Sequence, residues 1–170
     1  MRDPLRILGA MLALLVAGAP ACGSSTTSGT SGTSGGSSTT TSPSICGDDP
    51  RPQPYAVGLE GSSADGAVTI TFLDADPAPP AKGNNTLKIA LSDPAGKPIS
   101  GATIVTKPYM PDHGHSSSIK PASTPMSESG TYEIKPVTLF MPGVWEITFE
   151  VTPPGAAAAS AVKFTFCVEG

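Results

Sequence analysis

The chain has 170 residues, a formal net charge of −4 from 10 Lys+Arg against 14 Asp+Glu, and 5% aromatic residues. A mildly acidic chain without a basic cluster or aromatic platforms is unsuited to nucleic acid, which asks for a basic face. Nothing after the leader approaches the roughly eighteen consecutive apolar residues of a membrane-spanning helix.

The leader opens on Arg2 and Arg6, continues through an apolar run from Ile7 to Val16, and ends in Ala19-Pro20-Ala21. That is an export-signal pattern over residues 1–21. Cys22 follows directly and precedes a Gly/Ser/Thr tract, which resembles a bacterial lipoprotein whose first mature residue is a lipidated cysteine. Such signals usually carry Leu where this chain has Ala19, and Ala19-Pro20-Ala21 also suits ordinary signal peptidase, which leaves Cys22 free. Three cysteines in an exported chain leave one unpaired, and lipidation of Cys22 leaves Cys46 and Cys167 as a pair. The expectation is therefore an exported lipoprotein, anchored to a membrane through Cys22 and facing the periplasm or the cell exterior. Loss of the leader removes Arg2, Asp3 and Arg6, leaving 8 Lys+Arg against 13 Asp+Glu and a net charge of −5.

After Cys22, the tract to residue 44 is almost wholly Ser, Thr and Gly. It has nothing to bury and reads as a flexible linker. A coil of that length reaches on the order of 25 Å, suited to holding a domain off a membrane surface. Residues 45–170 suffice for one domain. The stretch Asp48 to Pro54, with Pro50, Pro52 and Pro54, reads equally as linker or as a segment lying along the domain.

Period-two alternation dominates from there. Val68, Ile70 and Phe72 alternate with threonines. Leu87, Ile89 and Leu91 follow, then Trp145, Ile147, Phe149 and Val151, then Val162, Phe164, Phe166 and Val168. Each run predicts a strand with one buried face. Between them, Asp93-Pro94-Ala95-Gly96 fits a type I turn, and Met141-Pro142-Gly143 offers Pro then Gly as a type II turn requires. Within 131–140, Tyr132 and Ile134 share one phase and Val137 and Leu139 the other. The switch falls at Lys135-Pro136, where a bulge or an edge position tolerates a residue without an N–H. Ala156 to Ala159 is too short to stand as a helix. The prediction is all-β: a single immunoglobulin-like β-sandwich of about seven strands. A Cys46–Cys167 disulfide would close a loop of over a hundred residues, worth about 4–5 kcal/mol in the chain-entropy model. Because Cys167 is in phase with Lys163 and Thr165, the bridge would staple the incoming chain onto the outside of the last strand. The other reading of these cysteines is as metal ligands.

Both histidines lie two residues apart in Tyr109-Met110-Pro111-Asp112-His113-Gly114-His115, and Met126 and Met141 are the other methionines beyond the leader. Imidazole with thioether suits a soft or borderline metal, copper above all. His113, His115, Met110 and Met141 are the candidate ligands, whereas Asp112 with the imidazoles would make a harder site for zinc. Gly114 lets the backbone bend between the rings. Against this stand plainer roles. Met110 is in phase with Ala102 and Ile104 and fits a core position, Met141 fits packing under its turn, and the prolines around the loop stiffen it.

Asn85 to Val151 resembles the YtkA-like family of small exported β-sandwich domains. The resemblance is carried by Asp93-Pro-Ala-Gly96-Lys97-Pro98, Gly101-Ala102, Met110-Pro111-Asp112-His113, Gly130-Thr131-Tyr132 and Met141-Pro142-Gly143-Val144-Trp145. It implies the fold and an association with copper handling. His113 stands where the family often has a second Met.

Enzymatic readings fail on the residues. Ser116 to Ser118 lie beside Asp112 and the histidines, but adjacent side chains on one loop do not make a triad with an oxyanion hole. The chain has no P-loop or His-Glu-x-x-His. Two readings remain: a non-enzymatic lipoprotein that binds or delivers copper, and an immunoglobulin-like protein-interaction or cell-envelope module without metal.

Overall fold

The alternating threonine-and-aliphatic runs fold into two antiparallel sheets packed face to face. The structure is a computed structural model and describes residues 44–170. The leader, Cys22 and the linker to residue 43 lie outside the described residues. Nine strands follow in order: β1 (Glu60–Ser62), β2 (Thr69–Asp76), β3 (Gly83–Ser92), β4 (Thr103–Met110), β5 (His115–Ser116), β6 (Ala122–Pro125), β7 (Thr131–Leu139), β8 (Gly143–Thr152) and β9 (Ser160–Val168). One sheet has the order β1-β2-β3-β7-β6 and the other β5-β4-β8-β9. The architecture is the expected all-β sandwich, with nine strands in place of about seven. The surplus arises because β1, β5 and β6 are two to four residues long, too short for alternation to be visible.

The buried phase of each long strand points between the sheets. Phe72 from one sheet meets Phe149, Phe164 and Phe166 from the other edge-on, with ring centroids 6.3, 4.8 and 5.7 Å apart, a preferred aromatic geometry. The phase switch in β7 is a bulge. Asn85 pairs with Val137 and Leu87 with Ile134, so Lys135 and Pro136 together oppose the single residue Thr86. Both halves of β7 thereby face inward, and Ile134 and Val137 are fully buried. The 93–96 turn closes with Gly96 N–H donating to the Asp93 carbonyl at 2.9 Å. Met141-Pro142-Gly143 carries the chain from one sheet to the other, since β7 and β8 do not pair.

β9 is the edge of its sheet, and an open edge is a hazard for pairing with other chains. Here the segment from residue 44 to 55 runs beside it as a strap, which resolves the question left open for residues 48–54. Gln53 N–H donates to the Thr165 carbonyl at 2.8 Å. Cys46 and Cys167 form a disulfide across a sequence separation of 121, with Cα atoms 6.0 Å apart. Ser44 Oγ and Ile45 N–H donate to the Glu169 carboxylate at 2.6 and 3.1 Å. The bridge sits on the outer phase of β9, opposite the buried Phe164 and Phe166, as its register with Lys163 and Thr165 requires.

At the far end, the fully buried Tyr132 ring carries its hydroxyl to the loop between β3 and β4. It donates to the Ile99 carbonyl at 2.9 Å and accepts from Ala102 N–H at 2.9 Å. Removing that oxygen leaves a backbone donor and an acceptor unpaired in a partly buried setting. Tyr132→Phe is therefore expected to destabilise the domain by about 1–3 kcal/mol, measured as a lower midpoint in urea unfolding with the slope unchanged.

Candidate metal centre

The register of the β4–β8–β9 sheet determines what collects at one end of the sandwich. β4 ends at Met110, β8 begins at Gly143, and Gly143 pairs with Val168 at the end of β9. The loop after β4 and the turn before β8 therefore meet at the same end. There Met110 pairs directly with His115 across the β4–β5 hairpin. Directly paired residues of an antiparallel ladder project to one face, and the Met110 side chain is interior, at 1% exposure.

Four residues, Pro111 to Gly114, close the hairpin. The Met110 carbonyl accepts from Gly114 N–H at 2.9 Å and His113 N–H at 3.3 Å. Gly114 at φ +67° takes the left-handed conformation that reverses the chain, a conformation most residues avoid. The chain between the histidines is thus bent, not extended, and the rings lie with centroids 5.6 Å apart and planes at 74°. Two imidazoles on one metal, with metal–nitrogen bonds of about 2.0–2.1 Å, place their ring centres roughly 5–6 Å apart. The observed separation falls in that range.

His115 is half-buried, and its Nδ1 is buried without a hydrogen-bond partner. A neutral imidazole has one donor nitrogen and one acceptor nitrogen. Leaving either one unpaired costs about 1–3 kcal/mol. The ring stacks on Phe140 with centroids 5.3 Å apart at 27°. Phe140 in turn meets Trp145 edge-on at 5.3 Å, and Trp145 Nε1–H donates to the Met141 carbonyl at 2.9 Å. A chain of ring contacts thus joins the histidine hairpin to the turn that carries Met141. The Met141 side chain packs half-buried against the core. Two residues further on, Gly143 lies so near Met110 that a β-carbon there would stand 2.5 Å from the Met110 methyl. Met110, Met141 and both histidines are therefore brought to one end of the domain. Met126 lies at the loop between β6 and β7, which pairs with the opposite ends of the strands.

The hairpin is also tied to the strap. Arg51 Nη1 and Nη2 donate to the two Asp112 carboxylate oxygens at 2.7 and 2.8 Å, and Nε and Nη2 bond Asp49 at 2.6–3.0 Å. Hydrogen bonding to the guanidinium holds the Asp112 and Asp49 carboxyls below the usual carboxylate range, and the same hydrogen bonds raise Arg51 above its ordinary value. With both of its oxygens engaged, Asp112 is directed away from a role as a hard ligand beside the imidazoles. Among the described residues no three His, Cys, Asp or Glu side chains converge, so the thioethers are the further donors at this end of the domain. The donor set of two imidazoles and two thioethers, with an unpaired buried nitrogen among them, fits a soft or borderline ion. A cleft of about 480 Å³ is lined by the strap and by Cys46, Tyr55, Phe166 and Cys167, with no His or Met.

Arg51, Phe140 and the contact of Gly143 with Met110 are not legible in the sequence. Arg51 lies 61 residues from its partner Asp112. Phe140 breaks the alternation of β7 and is 42% exposed, and that break beside Met141 was the one signal available.

Fold and site together define a small two-sheet β-sandwich with a His/Met-bearing hairpin at one end. The chain belongs to the YtkA-like family, which matches residues 64–150, a span reaching from the β1–β2 turn almost to the end of β8. In structure it is similar to as-isolated FetP of uropathogenic Escherichia coli, at 14% identity and a TM-score of 0.46, over 69% of this chain and 97% of that one. A copper-bound FetP variant gives the same identity, TM-score and coverage of this chain, over 99% of its own length. A copper-bound variant of a Campylobacter jejuni protein is similar at 12% identity and a TM-score of 0.40, over 66% of this chain and 98% of that one. These likenesses are too distant to place any residue. No curated protein matches the sequence.

Gly143 combines φ +127° with the Met110 contact. Gly143→Ala should lower stability by about 1–3 kcal/mol through backbone strain alone. It should also shift the Met110 methyl resonance, read by thermal unfolding and by methyl NMR.

Proposed function

We propose that this protein is a non-enzymatic, exported lipoprotein that binds copper at the β4–β5 hairpin, with His113 and His115 as the principal ligands and the Met110 and Met141 sulfurs as soft donors. The observation that carries the reading is the buried, unpartnered Nδ1 of His115, in a ring 5.6 Å from its neighbour imidazole. A bound cation would relieve a desolvated nitrogen that the protein itself leaves unpaired. Imidazole with thioether favours Cu(I), and the imidazoles alone suffice for Cu(II). The Met110 sulfur lies in the interior, so its participation requires the Met-Pro-Gly turn to yield at Gly143.

In this reading residues 1–21 direct export, Cys22 carries a lipid anchor, the tract to residue 44 is a tether, and residues 45–170 present the hairpin on the outer side of a membrane. A hairpin of four loop residues with one half-exposed ring suits transient loading and release better than permanent storage. Copper is then cargo, held and passed on, with no reaction carried out on it.

Titration of the chain with Cu(I) against a chromophoric chelator tests this. One equivalent should bind to the wild type and none to His113→Ala/His115→Ala, with the fold intact by circular dichroism. Equal binding by the two proteins, or by neither, would sink the proposal.

A further inference from the structure

The strap does more than cover the edge of β9. It delivers a guanidinium to the histidine hairpin. We infer that Arg51 is a positioning residue, holding the hairpin in place through its two-pronged contact with Asp112 and itself held by the Cys46–Cys167 bridge. For its bearing on metal this rests on the function proposed above.

Three observations carry the inference. Asp112 immediately precedes His113, and both of its oxygens are engaged by Arg51 at 2.7 and 2.8 Å. Planar two-pronged pairing fixes orientation as well as distance, so it restrains the backbone from which the His113 ring hangs. Arg51 is not a free surface side chain. Asp49 grips its other edge at 2.6–3.0 Å, and Asp49 N–H donates to the Cys46 carbonyl at 3.1 Å. Cys46 is bonded to Cys167 on β9, and Gln53, two residues beyond Arg51, is bonded to Thr165 on the same strand. The guanidinium is thus carried on a short segment fixed to β9 on both sides of it. An isolated exposed ion pair is worth little because ordering two long side chains offsets its attraction. Here much of that ordering is already imposed by the strap.

Positioning and plain charge predict opposite signs. A guanidinium near a cation site repels the cation, so by Coulomb's law alone Arg51→Gln would tighten copper binding. Freeing Asp112 as a ligand would tighten it too. If Arg51 positions the hairpin, Arg51→Gln weakens binding instead, by about tenfold, the lower end of what loss of an outer-sphere partner costs a metal site.

The test uses the full chain with its disulfide formed, and two readouts: Cu(I) affinity by chelator competition, and amide hydrogen exchange without metal at His113 and Gly114. In Arg51→Gln the affinity should fall about tenfold and both amides should exchange faster. Arg51→Lys keeps the charge but not the planar fork, and should recover only part of the loss. Cys46→Ser/Cys167→Ser should reproduce the Arg51→Gln result. In Asp112→Asn, adding Arg51→Gln should change nothing more. Unchanged or tighter binding in Arg51→Gln overturns the positioning role, and full recovery by Lys overturns the two-pronged contact as its basis. A wild type that binds no Cu(I) refutes the proposed function separately. The clamp on the hairpin then stands if Arg51→Gln speeds exchange of the two amides and falls if it does not.

Discussion

Each sheet of this domain has only the other to cover its apolar face, because no helix occurs among the described residues. Everything else depends on that mutual burial. Phe72 is surrounded edge-on by Phe149, Phe164 and Phe166, and Ile70, Leu87, Ile89 and Ile147 fill the layer around it without exposure. Each such side chain contributes about 1.5–3 kcal/mol on leaving water. The layer also fixes phase. A one-residue slip in any long strand would turn its whole apolar set outward, which is why β7 takes up its extra residue as a bulge at Lys135-Pro136 and keeps both Ile134 and Val137 inside.

With the registers fixed, the ends of the sandwich follow. Trp145 and Met110 close the core where β4 stops and β8 starts, and the hairpin and the Met-Pro-Gly turn lie over them. The indole nitrogen is paired to the Met141 carbonyl, as a buried Trp N–H requires. The His115 ring fills the space beside Phe140 with a polar nitrogen left over. Tyr55 Oη and Thr106 Oγ1 are also buried without a partner, but of the three atoms only the His115 nitrogen stands beside a second imidazole, and an unpaired buried polar group calls for an explanation. The strap adds a second constraint from outside, linking the disulfide, the β9 edge and the hairpin loop into one connected set.

Most of the architecture could be read from alternation alone. Val68 to Phe72, Leu87 to Leu91, Trp145 to Val151 and Val162 to Val168 all lie in or beside strands, and the bulge was visible as a change of phase. The short strands β1, β5 and β6 were not, because two to four residues carry no period. The disulfide and its position on the outer side of β9 followed from cysteine count and phase. The His/Met cluster was legible as a concentration of donor types, since Met110, His113 and His115 are neighbours in sequence. Its setting was not. The bend at Gly114, the stacking of His115 on Phe140 and the contact of Gly143 with Met110 depend on which strand ends the sheet register brings together. The Arg51–Asp112 pair depends on a strap whose course no local pattern specifies.

The proposed site differs from an adventitious one in holding copper by nitrogen and sulfur together at the hairpin. X-ray absorption at the copper edge of the Cu(I)-loaded protein reads this directly. Scattering from two imidazoles with at least one sulfur at thioether distance is expected. Loaded copper with oxygen and nitrogen neighbours alone, or with no imidazole signature, would contradict the proposed site.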